Sequence, residues 1–152
     1  MRRTIGRTIL LIAGLGLLIG LFVPQAIAED GWLSPRAKMR IETNLSRRHH
    51  NVARVQINRA MSDLARRHSL AMARRDELFH TSSPASVYLD GVQWRAWGEN
   101  VGVTSGSING LQRAFMASYG HRRNVLNRSF HRVAIGAVRV DGMLWVTVFF
   151  YG

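Results

Sequence analysis

Near the end of the chain two apolar runs, RVAIGAVRV and MLWVTVFFY, flank the dipeptide Asp141-Gly142. Asp-Gly suits a two-residue hairpin turn, because both of its positions tolerate the positive φ such a turn requires. The second run is apolar at nearly every position, the pattern of a central strand covered on both faces. Everything upstream must supply those covers. Helical patterns come first and the hairpin last, so the chain reads as α+β.

Ser34-Pro35 is a cap followed by a first-turn proline, and it opens a helix predicted over residues 35–50. Ala37, Ile41, Leu45 and Arg48 fall at helical spacing there, with arginines on the other side. The connection NVARVQ precedes a second helix over residues 58–75, whose stripe is Met61, Leu64, Ala65, His68 and Met72. A lone histidine on such a stripe reads as a hydrogen-bonded core residue. Residues 77–93 read as loop, broken by Ser-Ser-Pro and Asp-Gly. GENVGV reads as a strand. TSGSING leads into a helix over residues 109–119, interrupted at Gly120 and continuing for a turn or two over residues 121–126.

The first seven residues, MRRTIGR, carry three arginines and no acid. The apolar run of residues 8–23 follows, then Pro24 and the triplet Ala26-Ile27-Ala28. That order is the order of a secretory signal peptide, with cleavage expected after Ala28. At 16 residues the run falls short of the roughly 20 a membrane-spanning helix needs. The rival is an uncleaved tether. The expected organisation is a signal peptide at 1–28, a lead-in at 29–37 and one domain at 38–152. The address is secreted, extracellular or periplasmic.

Removing residues 1–28 leaves 124 of the 152 residues, a length that suits one core. The chain has no cysteine, which excludes disulfides, thiolate metal sites and lipidation at the junction. Of the 21 basic residues 20 are arginine; 18 basic and all nine acidic residues lie beyond residue 28. A formal charge of +9 favours anionic lipid or envelope material. No nucleic-acid motif occurs, peripheral membrane contact suits the charge, and a monomer is expected.

Without cysteine, chemistry rests on histidine and carboxylate. His80, His121 and His131 lie outside the helical stripes, and Glu99 stands in an apolar segment between glycine-containing turns. HExxH, a nucleophile elbow, a P-loop and GxGxxG are all missing. By spacing alone, these residues are only the best polar candidates.

Taken in order, the segments ARRHSLAMA (65–73), LFH (78–80), GENV (98–101), SYGHRRNVL (118–126) and VAIG (133–136), with an aromatic last strand, form a series. It resembles the CAP superfamily, the SCP-like extracellular proteins, in its compact disulfide-free bacterial form. Asn44 with Arg47 or Arg48 resembles the family's N-x-x-R pattern. The resemblance covers about residues 38–152 and implies a three-layer α-β-α sandwich with an open cleft.

In the family that cleft is lined by two histidines and two glutamates, to which divalent metal binding has been attributed. The resemblance puts the histidines at His80 and His121 and the first glutamate at Glu99, the expected metal set for Zn²⁺ or a similar ion. Ser118 stands in the place of the second glutamate, Phe115 in that of a tryptophan, and Thr147-Val148 in that of a Thr-Gln pair. Asn100, Arg122 and Asn124 are expected to support the cleft, with Arg122 pairing with Glu99 and Asn124 bonding loop backbone. The competing reading is a buried polar network that ties loops to the sandwich.

The function this implies is a secreted binding module for lipid or envelope ligands. The alternative is a weak metal-assisted hydrolase in the same cleft, although no Asp or Glu is placed to complete a triad with Ser118. A third reading is a scaffold whose loop 81–97 recognises a partner. Exposure of Tyr88, Trp94 and Trp97 would favour binding, and burial would favour core.

Overall fold

The computed structural model describes residues 33–152; the expected signal peptide and residues 29–32 of the lead-in lie outside the described residues. Helix α1 (Pro35–His49) starts where Ser34 Oγ accepts from the Ala37 amide, with Pro35 in the first turn. Helix α2 (Arg59–Arg75) is capped by Asn58 in the same way, and ends on Asp76 in the left-handed conformation.

The hairpin forms as predicted. Strands β3 (Arg132–Val140) and β4 (Met143–Tyr151) join through Asp141 and Gly142, both at positive φ. β4 also pairs antiparallel with β2 (Trp97–Thr104), so it is flanked on both sides. At the far edge β1 (Gln56–Ile57) runs parallel to β3, giving the order β1-β3-β4-β2. The NVARVQ connection therefore ends in a strand that sequence reading missed. Two residues are too few to show an alternation.

Alternate residues of β4 serve two cores. Leu144, Val146, Val148 and Phe150 pack with Met39 of α1 and with Leu111 and Phe115 of helix α4 (Ile108–Ala117). On the opposite face Phe149 and Tyr151 pack with Met61 and Ala65 of α2 and with Tyr88 and Leu89, and Trp145 packs with Met72. This is the expected α+β sandwich, with helices on both faces of a sheet.

Three expectations shift. The segment 77–93 contains a short helix, α3 (Pro84–Tyr88), started by a proline that favours a first turn. The break before helix α5 (Tyr119–Val125) falls at Ser118, which is extended, while Gly120 lies inside α5. In α1 the buried face is Met39, Thr43 and Arg47, not the Ile41–Leu45 stripe, and Leu45 is 41% exposed.

Arg47 explains that rotation. Its guanidinium is fully buried and donates only to backbone carbonyls: Nε to Ala53, Nη1 to Val125 and Asn127, and Nη2 to Phe130, at 2.6–3.0 Å. Burial lowers its pKa. Arg47 thus settles the N-x-x-R pairing with Asn44, whose amide brackets Val55 by bonding both its N–H and its C=O. Arg47→Met strands four carbonyls and should cost about 3–5 kcal/mol in chemical denaturation. Arg48→Met, one residue on and exposed, should cost under about 0.5 kcal/mol.

Gly136 sets how closely α2 approaches the sheet, since a Cβ there would collide with the backbone of Ala65 and Arg66. Gly136→Ala should lose roughly 2–3 kcal/mol, because main chain rather than a flexible side chain must yield.

Candidate functional site

The segment after α2, the third residue of β2 and the α4–α5 junction meet at one end of the sheet. They bring together His80, Glu99, Ser118 and His121 around a cleft of about 390 Å³, with Asn124 also on its wall.

Glu99 is buried, with a side chain only 1% exposed, and both of its oxygens are occupied. Oε1 accepts from the Thr81 amide and faces His80 Nδ1, each at 2.9 Å; Oε2 accepts from Thr81 Oγ1 at 2.6 Å. The carboxylate therefore holds an exposed imidazole by one nitrogen and leaves its Nε2 without a partner among the described residues. Tyr88 closes the far side of this group, its hydroxyl 3.4 Å from Thr81 Oγ1. Burial, with the Glu99 charge adding to it, pushes the Tyr88 phenol up to about 12, so it stays neutral.

The second histidine is held differently. His121 Nδ1 lies 2.9 Å from Ser118 Oγ, and its ring rests 4.9 Å from that of Phe115. Its pKa is lowered by burial and then by His80, so it is neutral at pH 7.

Asn124 Nδ2 donates to the Glu99 carbonyl and to Asn100 Oδ1, and Asn100 Nδ2 donates to the His121 carbonyl. These bonds lock α5 onto β2. The fit needs Gly98, where a Cβ would come within 2.6 Å of Asn124 Oδ1. Asn124 thus bonds strand backbone rather than loop. Arg122 does not pair with Glu99; its Nη2 lies 3.0 Å from His50 Nε2, because α5 turns that side chain toward α1.

The expected three-ligand set is not gathered as such. Among the described residues no three His, Asp or Glu side chains are close enough to hold a metal ion. The arrangement is one carboxylate–histidine pair and a second histidine. His131 lies apart, exposed beside Trp94 and Gly152. The loop aromatics divide: Tyr88 is core, while Trp94 and Trp97 are 42% and 39% exposed.

His68 is the residue whose connection to the site sequence reading did not foresee. Ser69 Oγ donates to Thr147 Oγ1, which lies 3.1 Å from His68 Nδ1. The other ring nitrogen, Nε2, is buried and has no hydrogen-bond partner among the described residues. Burial lowers the His68 pKa, Glu99 opposes that, and His80 adds to it, which couples His68 electrostatically to the pair. The core reading of its stripe holds for the hydrogen bond to Thr147. Its closeness to Glu99 arises from sheet register, which helix periodicity does not carry.

A four-stranded sheet covered by helices on both faces, with a histidine–glutamate pair at one end, defines a CAP-type α+β protein. The family model for CAP, the cysteine-rich secretory protein family, matches residues 41–149, and the chain belongs to this family. An uncharacterized protein of Bacillus subtilis, YkwD, is 29% identical over 112 residues, covering 70% of this chain and 43% of its own length. An extracellular protein containing a SCP domain from Bacillus anthracis is 26% identical, with a TM-score of 0.64 over 77% of this chain and 40% of that one. The chain thus spans under half the length of either relative. An outer surface protein of Borrelia burgdorferi shares the fold, at 17% identity and a TM-score of 0.66 over 77% of this chain and 91% of that one.

Both His68 and His121 have pKa values lowered below 6.5. The unfolded chain therefore binds protons that the folded chain excludes. This stability is complete above pH 6.5 and is lost as pH falls through the lowered folded values. The thermal midpoint should drop between about pH 7.5 and pH 5, and His68→Gln should flatten that drop. A wild-type midpoint unchanged across that range would contradict the assignment.

Proposed function

We propose that the chain acts outside the cytoplasm, as a monomer, and binds a lipid or cell-envelope ligand in the His80–Glu99–His121 cleft. The observation that carries this reading is the commitment of both Glu99 oxygens to Thr81 and His80. A carboxylate so placed orients an imidazole for binding. Among the described residues no hydroxyl is hydrogen-bonded to the free Nε2 of that imidazole. The N-terminal charge, apolar run and A-x-A triplet support export, as do the descriptions of relatives as extracellular or secretory. Among the described residues no helix is long and apolar enough to cross a membrane.

Two imidazoles lining one cleft are donor chemistry that a divalent cation takes. Nε2 of His80 and Nε2 of His121 would hold it, and Glu99 would orient the first ring from behind. When bound, an ion such as Zn²⁺ supplies a Lewis-acidic position open to a ligand. The chain's own groups do the rest: Thr81 and Glu99 hold one ring, Ser118 holds the other, and Asn124 keeps the two sides together.

The second reading is a weak metal-assisted hydrolase, favoured by the Ser118–His121 hydrogen bond. It lacks a carboxylate on His121, whose Nδ1 is taken by Ser118 itself.

Titration calorimetry with Zn²⁺ tests the cleft. A single weak site should vanish in His80→Ala and in His121→Ala, and should weaken roughly 10–100-fold in Glu99→Gln. Binding unchanged in both histidine variants would remove the assignment.

A further inference from the structure

The stripe that α1 turns away from the core does not face open solvent evenly. Ile41 and Leu45 form one wall of a second hollow, of about 630 Å³, against Val55 and Ile57 on the β1 side. Its size lies within the usual range for ligand sites, and it shares no residue with the histidine cleft.

Four exposed arginines ring this apolar floor: Arg40 and Arg48 from α1, and Arg54 and Arg132 from the strand side. No acidic side chain lines the groove. Among the described residues none of the four guanidinium groups has a hydrogen-bond or ion-pair partner, whereas that of Arg36 on the first helix pairs with Asp63. Four uncompensated guanidinium groups around one hollow repel one another, and an anion between them removes that cost. Guanidinium forks match phosphate oxygens two at a time. The floor adds a second requirement, since Leu45 at 41% exposure offers nothing to a purely polar polyanion.

We propose that this groove seats an anionic phospholipid of a membrane surface, with its phosphate among the four arginines and the start of an acyl chain over Ile41 and Leu45. Charge complementarity and the apolar floor together select this occupant over a soluble polyanion, an acidic peptide or a second copy of the chain. The proposal goes beyond the cleft and is independent of it.

The test is co-sedimentation with phosphatidylglycerol vesicles, with phosphatidylcholine vesicles as the uncharged reference. It uses the chain from Glu29 onward, because residues 33–152 contain all three core clusters. Each arginine at an anionic surface contributes about fivefold to partitioning, so Arg48→Gln/Arg54→Gln should lose about 25-fold. Arg40→Gln/Arg132→Gln gives an independent pair with the same expectation. Arg66→Gln/Arg67→Gln removes equal charge from α2 and should lose under about threefold. Leu45→Asn should weaken binding without changing charge, and rising salt should weaken it steeply. Circular dichroism melts of these exposed-site variants should match the wild type. His80→Ala should bind vesicles as the wild type does, which separates failure of the cleft from failure of the groove.

Equal loss in the α2 and groove pairs would reduce the effect to net charge and overturn the proposal. So would competition by soluble polyphosphate combined with indifference to Leu45→Asn, or absence of binding to phosphatidylglycerol vesicles.

Discussion

Arg47 brings a full charge into a position with no solvent access, and only main-chain carbonyls receive it. Those carbonyls come from the loop after α1, from the end of α5 and from the turn leading into β3. Lone carbonyls at a helix end and in a tight turn are costly when buried, and one planar side chain with several donors satisfies them together. Together with Met39, which packs in the larger core, it sets the face that α1 presents inward. The outward rotation of Ile41 and Leu45, and so the arginine groove, follows from that inward face.

The same residue reaches the cleft indirectly. α5 carries His121 and Asn124 and ends at Val125, whose carbonyl is one of the four that Arg47 holds. Asn124 then fastens α5 to β2 and to the backbone of Glu99. The path from the buried guanidinium to the carboxylate–histidine pair thus runs through a few residues of one short helix.

Much of this was legible in the chain. Asp141-Gly142 between two apolar runs announced the hairpin and its central last strand, and the α2 stripe announced one helix face. His80, Glu99, Ser118 and His121 do meet, as the family resemblance implied. What stayed hidden depends on tertiary geometry. Helical spacing in α1 suggested Ile41 and Leu45 because apolar residues normally mark the inner face, and a buried arginine inverts that rule. The engagement of Glu99 by Thr81, and the turning of Arg122 toward His50, depend on backbone placement that no spacing encodes. β1 is two residues long and exists only because β3 is beside it.

The order of strands also bears on when the domain can assemble. Among the described residues β2 has no strand neighbour except β4, and β3 closes its hairpin only with β4. A chain emerging with its N-terminus first therefore lacks the strand that joins β2 to β3 until residues 143–151 arrive. Both cores then close at once, because alternate residues of that one strand fill them. The sheet is therefore complete only when residues 143–151 are in place.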